Sequence, residues 1–221
     1  MNVTSMSTSL DLTVARELRA AMRGQILLRG DDKYIQARQI WNGAVQQQPA
    51  VIALCETPED VQAAIRTAHE HGLRLSVRGG GHDWAGRAIR HDGLVIDLSH
   101  MRRVDVDPKA SVATIQGGAT AVDVIAAAEP HGLVAATGNC GTVGMVGLTL
   151  GGGYGPLLAR HGLALDNMLG AEVVLADGRH VKCDNQEEPE LFWALRGGGG
   201  NSVWLSQCAS DCMRFVKCWL A

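Results

Sequence analysis

The sequence lacks any apolar run of 18 residues, and its first 12 residues, rich in Ser and Thr, lack the basic start and apolar core of a leader. Neither a membrane-spanning helix nor a secretion signal is expected, and the default setting is a reducing cytoplasm with free thiols. Charge of one sign is also missing: Lys+Arg 20 against Asp+Glu 23 leaves a net charge of −3. That balance supplies no electrostatic footprint for nucleic acid or an anionic membrane surface. Aromatic residues make up only 4 %. The common nucleotide and hydrolase signatures are absent too. No Gly-x-Gly-x-x-Gly stands in strict register, no Gly-Lys pair exists for a P-loop, and no Gly-x-Ser-x-Gly elbow occurs. Rossmann dehydrogenases, P-loop kinases and α/β-hydrolases are thereby set aside. His69-Glu70-His71 lacks the i, i+4 histidine pair of a zinc-protease helix and reads as a solvated helix end, so no metal is assigned.

What remains is a chain of 221 residues, 46 % hydrophobic and 19 % charged, with mean hydropathy near zero. It is long enough for one large domain or two small ones with a real core. Glycine is the excess: 27 residues, roughly 12 % against a usual ~7 %. No Gly-X-Y period accompanies it, so collagen is excluded. The glycines gather in a few runs, and those runs are where function is to be sought.

Helices and strands are expected to alternate. Asp11 reads as the cap of a helix reaching Met22. Thr57-Pro58-Glu59-Asp60 opens a stronger one, with a hydroxyl cap, proline in the first turn and acids at the positive end of the dipole. Val61, Ala64, Ile65 and Ala68 recur at helical spacing, and Gly72 ends the run. Strands are expected over 73–78, 94–98, 103–107, 111–116 and 133–136. Thr120 with Asp123 marks a capping box over 121–129. Asp177-Gly178, both suited to positive φ, joins strands 171–176 and 179–183 as a hairpin, and 190–196 reads as a short helix.

Two glycine runs each contain one nucleophile. In Arg78-Gly79-Gly80-Gly81-His82-Asp83 a strand ends in residues without side chains, so successive amides can turn inward around an anion such as a pyrophosphate. The same run also suits a tight turn ending in a surface histidine. In the second run, Gly138, Gly141, Gly144 and Gly147 recur every third position around Cys140 and Thr142, and Gly151-Gly152-Gly153 follows. So much glycine costs conformational entropy, which a close approach of backbone to a flat or phosphate-bearing ligand would justify. Cys140 is either a thiol exposed to that ligand or a buried structural cysteine.

Taken together, Arg78-Gly79-Gly80-Gly81-His82, Gly138-x-Cys140-x-x-x-Gly144 with its triple glycine, and Ala176-Asp177-Gly178 resemble a known family. It is the PCMH-type FAD-binding domain of the berberine-bridge-enzyme-like flavoprotein oxidases, in the vanillyl-alcohol-oxidase superfamily. Trp41-Asn42, Thr57-Pro58-Glu59-Asp60-Val61 and Leu191–Gly198 resemble its framework. The resemblance implies an α+β fold of two packed subdomains holding FAD between them. It implies a covalent bond from His82 to the 8α-methyl carbon of the flavin and a second from Cys140 to flavin C6. Loop amides would hold the pyrophosphate, Thr142 would add a hydroxyl, Trp84 would lie near the ring or pack under the loop, and Asn201 would join the cofactor site. The implied chemistry is oxidation of an alcohol, hemiacetal or C–H centre of a small molecule by hydride transfer to flavin, with dioxygen as acceptor.

The resemblance runs from about residue 24 to 201, after an N-terminal helical lead-in at 1–23. Beyond it, 202–221 departs from the family: Cys208, Cys212 and Cys218 crowd into 20 residues, against three cysteines in the preceding 201. Their spacing lacks the paired C-x2-C pattern of a metal site, and an altered reading frame or premature ending is the expectation. The family's substrate domain, which supplies the catalytic base, has no counterpart, so no base is assigned. A flavin-binding remnant without turnover and a noncovalent FAD reductase are the competing readings.

Overall fold

The computed structural model of the chain describes residues 8–199, 203–211 and 213–214. Two large sheets, each with its own helices, and a two-stranded ladder form an α+β fold among the described residues. The first unit begins with α1 (Ser9–Ala21), whose cap is Thr8, not Asp11. Asp11 is the reciprocal partner: its carboxylate accepts from the Thr8 amide at 2.8 Å while its own amide donates to the Thr8 hydroxyl. A capping box places its acid three residues inside the helix, so in the sequence the acid resembles the cap.

After α1 come β1 (Gln25–Leu28), the short α2 (Tyr34–Ala37), β2 (Val51–Leu54), α3 (Pro58–Glu70), β3 (Leu75–Arg78) and β4 (Leu94–Asp97). The sheet order is β1-β2-β4-β3, with β1 antiparallel to β2 and the other pairs parallel. Both inner strands are buried on both faces, and their side chains divide by alternation. Val51, Ala53, Leu94 and Ile96 meet Val14 and Leu18 of α1 and Val61, Ala64, Ile65 and Ala68 of α3. Ile52, Leu54 and Val95 face the other way, toward Tyr34 and Ile89. Thr57 caps α3 through the Asp60 amide, and Gly72 follows the helix at φ +62. Asp60 is itself buried and accepts from the amides of Arg23, Gly24 and Glu56 at 2.8, 3.2 and 2.9 Å. One carboxylate thus fixes the turn between α1 and β1 to the start of α3.

The second unit contains β5 (Val104–Asp107), β6 (Val112–Gln116), α4 (Ala121–Ala128), β7 (Leu133–Val134), α5 (Met145–Leu150), α6 (Leu158–His161), β8 (Met168–Leu175), β9 (His180–Cys183), α7 (Pro189–Leu195), β10 (Val203–Asp211) and β11 (Met213–Arg214). Its antiparallel sheet runs β5-β6-β10-β8-β9, and β7 pairs with β11 beside it. The units join through β8. Val173 enters the core formed by α5 and α7, while its neighbour Val174, pointing to the opposite face, enters the core of the first unit. Gln62 of α3 completes the joint by donating to the Gly178 carbonyl at 2.6 Å.

The β8–β9 hairpin turns differently from expectation. Gly178 has φ +82, but Asp177 does not share the positive φ. The Gly178 amide donates to the Leu175 carbonyl and the Leu175 amide to the Arg179 carbonyl, so a turn over 175–178 is followed by one left-handed residue. That geometry needs only one glycine. The atypical tail supplies a strand: Val203–Asp211 lies between β6 and β8, with register shifts at Leu205/Gln207 and Ala209/Ser210.

Candidate functional site

The first glycine loop leaves the C-terminal end of β3. Arg78, its last strand residue, turns its guanidinium inward to the Asp97 carboxylate at 2.9 Å and to the Ala37 carbonyl, and Asp97 is fully buried. The loop is therefore braced from behind by an ion pair. Asp83, at the far end, is held by the amide, Nε and Nη2 of Arg87, which keeps its carboxyl below the usual carboxylate range. Between them, the amides of Gly79, Gly80, Gly81, His82 and Asp83 donate to no group among the described residues. Successive amides without partners in the chain suit an anion such as a pyrophosphate. Gly81 has φ +70, and its carbonyl accepts from the Trp41 amide at 3.0 Å.

The second loop runs from Gly138 to Gly144, between β7 and α5. Two carbonyls of this loop, Gly141 and Val143, accept from the Val122 and Ala121 amides at 2.9 Å each. These are first-turn donors of α4, which a helix leaves without partners of its own; here they anchor the loop. A Cβ built on Gly80 would lie 2.2 Å from the Gly144 nitrogen, and one on Gly144 would lie 2.5 Å from the Gly80 nitrogen. The two loops therefore touch backbone to backbone. Gly138 faces Leu148, Gly141 faces Val122, and a Cβ on Gly147, inside α5, would meet nothing within 4 Å.

This contact brings the two nucleophiles together. His82 Nε2 is 2.8 Å from the Thr142 hydroxyl, and Cys140 Sγ is 3.3 Å from the same oxygen. Cys140 is exposed, which settles the alternative of a buried structural thiol. Its pKa is drawn down by the Thr142 hydroxyl first and then by the amides of Thr142 and Val143. Burial holds His82 below the ordinary imidazole range, so the ring is neutral near pH 7. Trp41 stacks on the His82 ring, with centroids 5.7 Å apart and planes 22° apart. Asn42 donates to the Trp84 carbonyl at 2.7 Å, and Trp84 itself is 72 % exposed, so it does not pack under the loop. In the sequence the Trp41-Asn42 pair marks only framework, because nothing local points Trp41 at His82. A third glycine stretch docks nearby, the amides of Gly197 and Gly199 donating to the Leu150 carbonyl at 3.2 and 3.0 Å. Asn201 and the side chains of Cys208, Cys212 and Cys218 lie outside the described residues.

A family model described as "FAD binding domain" matches residues 49–184. This chain belongs to that FAD-binding family, among the berberine-bridge-enzyme-like flavoproteins of the vanillyl-alcohol-oxidase superfamily. The (R)-6-hydroxynicotine oxidase of Paenarthrobacter nicotinovorans is 41 % identical over 181 residues, covering 82 % of this chain and 40 % of that protein. The crystal structure of 6-hydroxy-D-nicotine oxidase from Arthrobacter nicotinovorans superposes with a TM-score of 0.86 at 36 % identity, over 95 % of this chain and 44 % of that one. A glucooligosaccharide oxidase from Acremonium strictum, described with a 6-S-cysteinyl, 8α-N1-histidyl FAD, gives a TM-score of 0.86 at 34 % identity, over 91 % and 42 %. The FAD-binding domain described here thus spans less than half the length of the relatives it matches.

The residues of the domain fit the cofactor of its family. The free amide row and the Gly80–Gly144 contact leave a backbone surface from which side chains are excluded, as a pyrophosphate requires. Beside it stand a neutral imidazole and a thiol of depressed pKa, the two protein nucleophiles suited to attack on an electron-poor ring. Among the described residues, no helix is long and apolar enough to cross a membrane.

Proposed function

We propose that this chain is the flavin-holding portion of an oxidoreductase that removes a hydride from an alcohol, hemiacetal or C–H centre of a small molecule, with FAD attached through both His82 and Cys140. When bound, FAD supplies the two-electron acceptor, which dioxygen reoxidises. The observation that carries the reading is the convergence of His82 and Cys140, from separate loops, on one Thr142 hydroxyl. The doubly attached flavin described for the glucooligosaccharide oxidase supports it.

Each residue then has a task. The amides from Gly79 to Asp83 hold the pyrophosphate, and Gly138, Gly141 and Gly144 let backbone approach the cofactor closely. His82 presents an imidazole oriented by Trp41 and Thr142, and Cys140 presents the thiol. Each attachment would exchange an N–H or S–H of the protein and a C–H of the flavin for one bond, with dioxygen as the two-electron oxidant and hydrogen peroxide as its product. Substrate choice and the catalytic base belong to the portion that the relatives have beyond the matched length.

The test is to denature the purified chain and weigh its peptides. Flavin mass retained on the peptides containing His82 and Cys140 is expected; flavin released wholly into the supernatant, with both peptides unmodified, overturns double attachment. The competing reading is a flavin-binding portion without turnover. Flavin bleaching by sugars, alkaloids or polyketide alcohols under anaerobic conditions separates the two, since the second reading predicts none.

A further inference from the structure

We infer that Thr142 is a positioning residue that relays a proton between His82 and Cys140, so that the two become nucleophilic together. The inference rests on the reading of these residues as attachment points, but its geometry stands without flavin. A threonine hydroxyl has one proton to donate. Placed 2.8 Å from Nε2 and 3.3 Å from Sγ, it can donate to one neighbour while accepting from the other. Nδ1 of His82 has no hydrogen-bond partner among the described residues.

Two arrangements in which Thr142 accepts from one neighbour and donates to the other bear on reactivity. In one, Nε2–H donates to Thr142, Thr142 donates to a thiolate, and the Nδ1 lone pair is free; both nucleophiles are active. In the other, S–H donates to Thr142, Thr142 donates to Nε2, and Nδ1 carries the proton; both are blocked. Passage from the blocked to the active arrangement moves the thiol proton to Oγ1 and the Thr142 proton to Nε2, while Nδ1 gives its proton to water. One proton leaves, one negative charge remains on sulfur, and no heavy atom need move.

The surroundings shift the balance toward the active arrangement relative to a free thiol and a free imidazole. The Thr142 hydroxyl is the largest influence lowering the thiol pKa, with the Thr142 and Val143 amides adding to it, and burial keeps the imidazole neutral. Charged groups on the packed elements are engaged elsewhere: Asp83 with Arg87, Arg78 with Asp97, and Asp123 of α4 with Arg102. Trp41 covers the His82 ring. The loop holding Thr142 is fixed on both sides, through the carbonyls of Gly141 and Val143.

The experiment compares the full chain with Thr142→Val and Thr142→Ser, each produced without flavin and probed with iodoacetamide across pH, reading alkylation from the mass of the Cys140 peptide. Thr142→Val, which keeps the shape and removes the proton, should shift the profile upward and slow alkylation at pH 7 by about 3–10-fold; Thr142→Ser should restore it. Nitrogen NMR of His82 should show the Nε2–H tautomer in the wild type and in Thr142→Ser but a mixture in Thr142→Val. On adding FAD, Thr142→Val should slow attachment at both residues. An unchanged alkylation profile in Thr142→Val, or slowing at one residue alone, overturns the relay. If the profile responds while no flavin stays on either peptide of the wild type, the relay stands and the attachment reading fails.

Discussion

Gly80 and Gly144 face each other so closely that neither can carry a side chain: a Cβ on Gly80 would sit 2.2 Å from the Gly144 nitrogen. Gly80 does not have a positive φ, so the penalty of Gly80→Ala is steric alone and the loops must part to admit a methyl group. Overpacking of this kind costs about 1–3 kcal/mol. Urea unfolding should show that loss, and the chain should retain less flavin after denaturation.

Gly147 supplies the contrast. It lies inside α5, exposed, with nothing within 4 Å of a built Cβ. Gly147→Ala should therefore raise stability by about 0.5–1 kcal/mol. Unchanged flavin retention is expected; a loss would show that flavin approaches this backbone directly.

Asp60 satisfies three amides from inside the core. Asp60→Ala strands those donors and should cost about 2–4 kcal/mol in chemical denaturation. Asp60→Asn, keeping one acceptor oxygen, should cost less. An equal cost for both would show that charge, not acceptance, is what the site uses.

Arg78 offsets the buried charge of Asp97. Arg78→Met leaves that carboxylate without its cation, and losses for such pairs run to about 3–5 kcal/mol. The Arg78 side chain is 19 % exposed, so water replaces part of the interaction and the lower end is expected. Adding Asp97→Asn should recover part of the loss, since the remaining group is neutral.

Acid should weaken the start of α4. Burial opposes ionisation of Asp123, but bonds from Arg102 and the Thr120 cap outweigh it and lower its pKa. A carboxyl with a depressed folded pKa stabilises above its unfolded value of about 3.9, and that contribution disappears as pH falls through the folded value. Wild type should exceed Asp123→Asn in urea midpoint at pH 7. The gap should close below about pH 4; a constant gap would assign the effect to shape.

The parts legible in sequence are those with local chemical punctuation. Thr57-Pro58 opens α3, Thr120 with Asp123 opens α4, and the run ending in His82 follows β3. The elements that escaped lack such marks. β1 and β2 are four residues long, and β2, buried on both faces, shows no alternation of polar and apolar residues. α5 hides among glycines because Gly147 argues against a helix, yet buried Met145, Val146 and Leu150 hold it in place. At the site, both nucleophiles could be found from their glycine runs, but their meeting could not. It depends on a contact between Gly80 and Gly144, 64 positions apart, and the Trp41 stack on His82 joins segments 41 positions apart.

Placing β10 between β6 and β8 has a consequence for assembly. The β5–β6 and β8–β9 hairpins can each form from residues close together in the chain, but no backbone ladder joins them until Val203–Asp211 arrives. During synthesis the five-stranded sheet is therefore expected to close only after its middle strand has left the ribosome. The four-stranded sheet of the first unit, whose strands end at Asp97, can close long before.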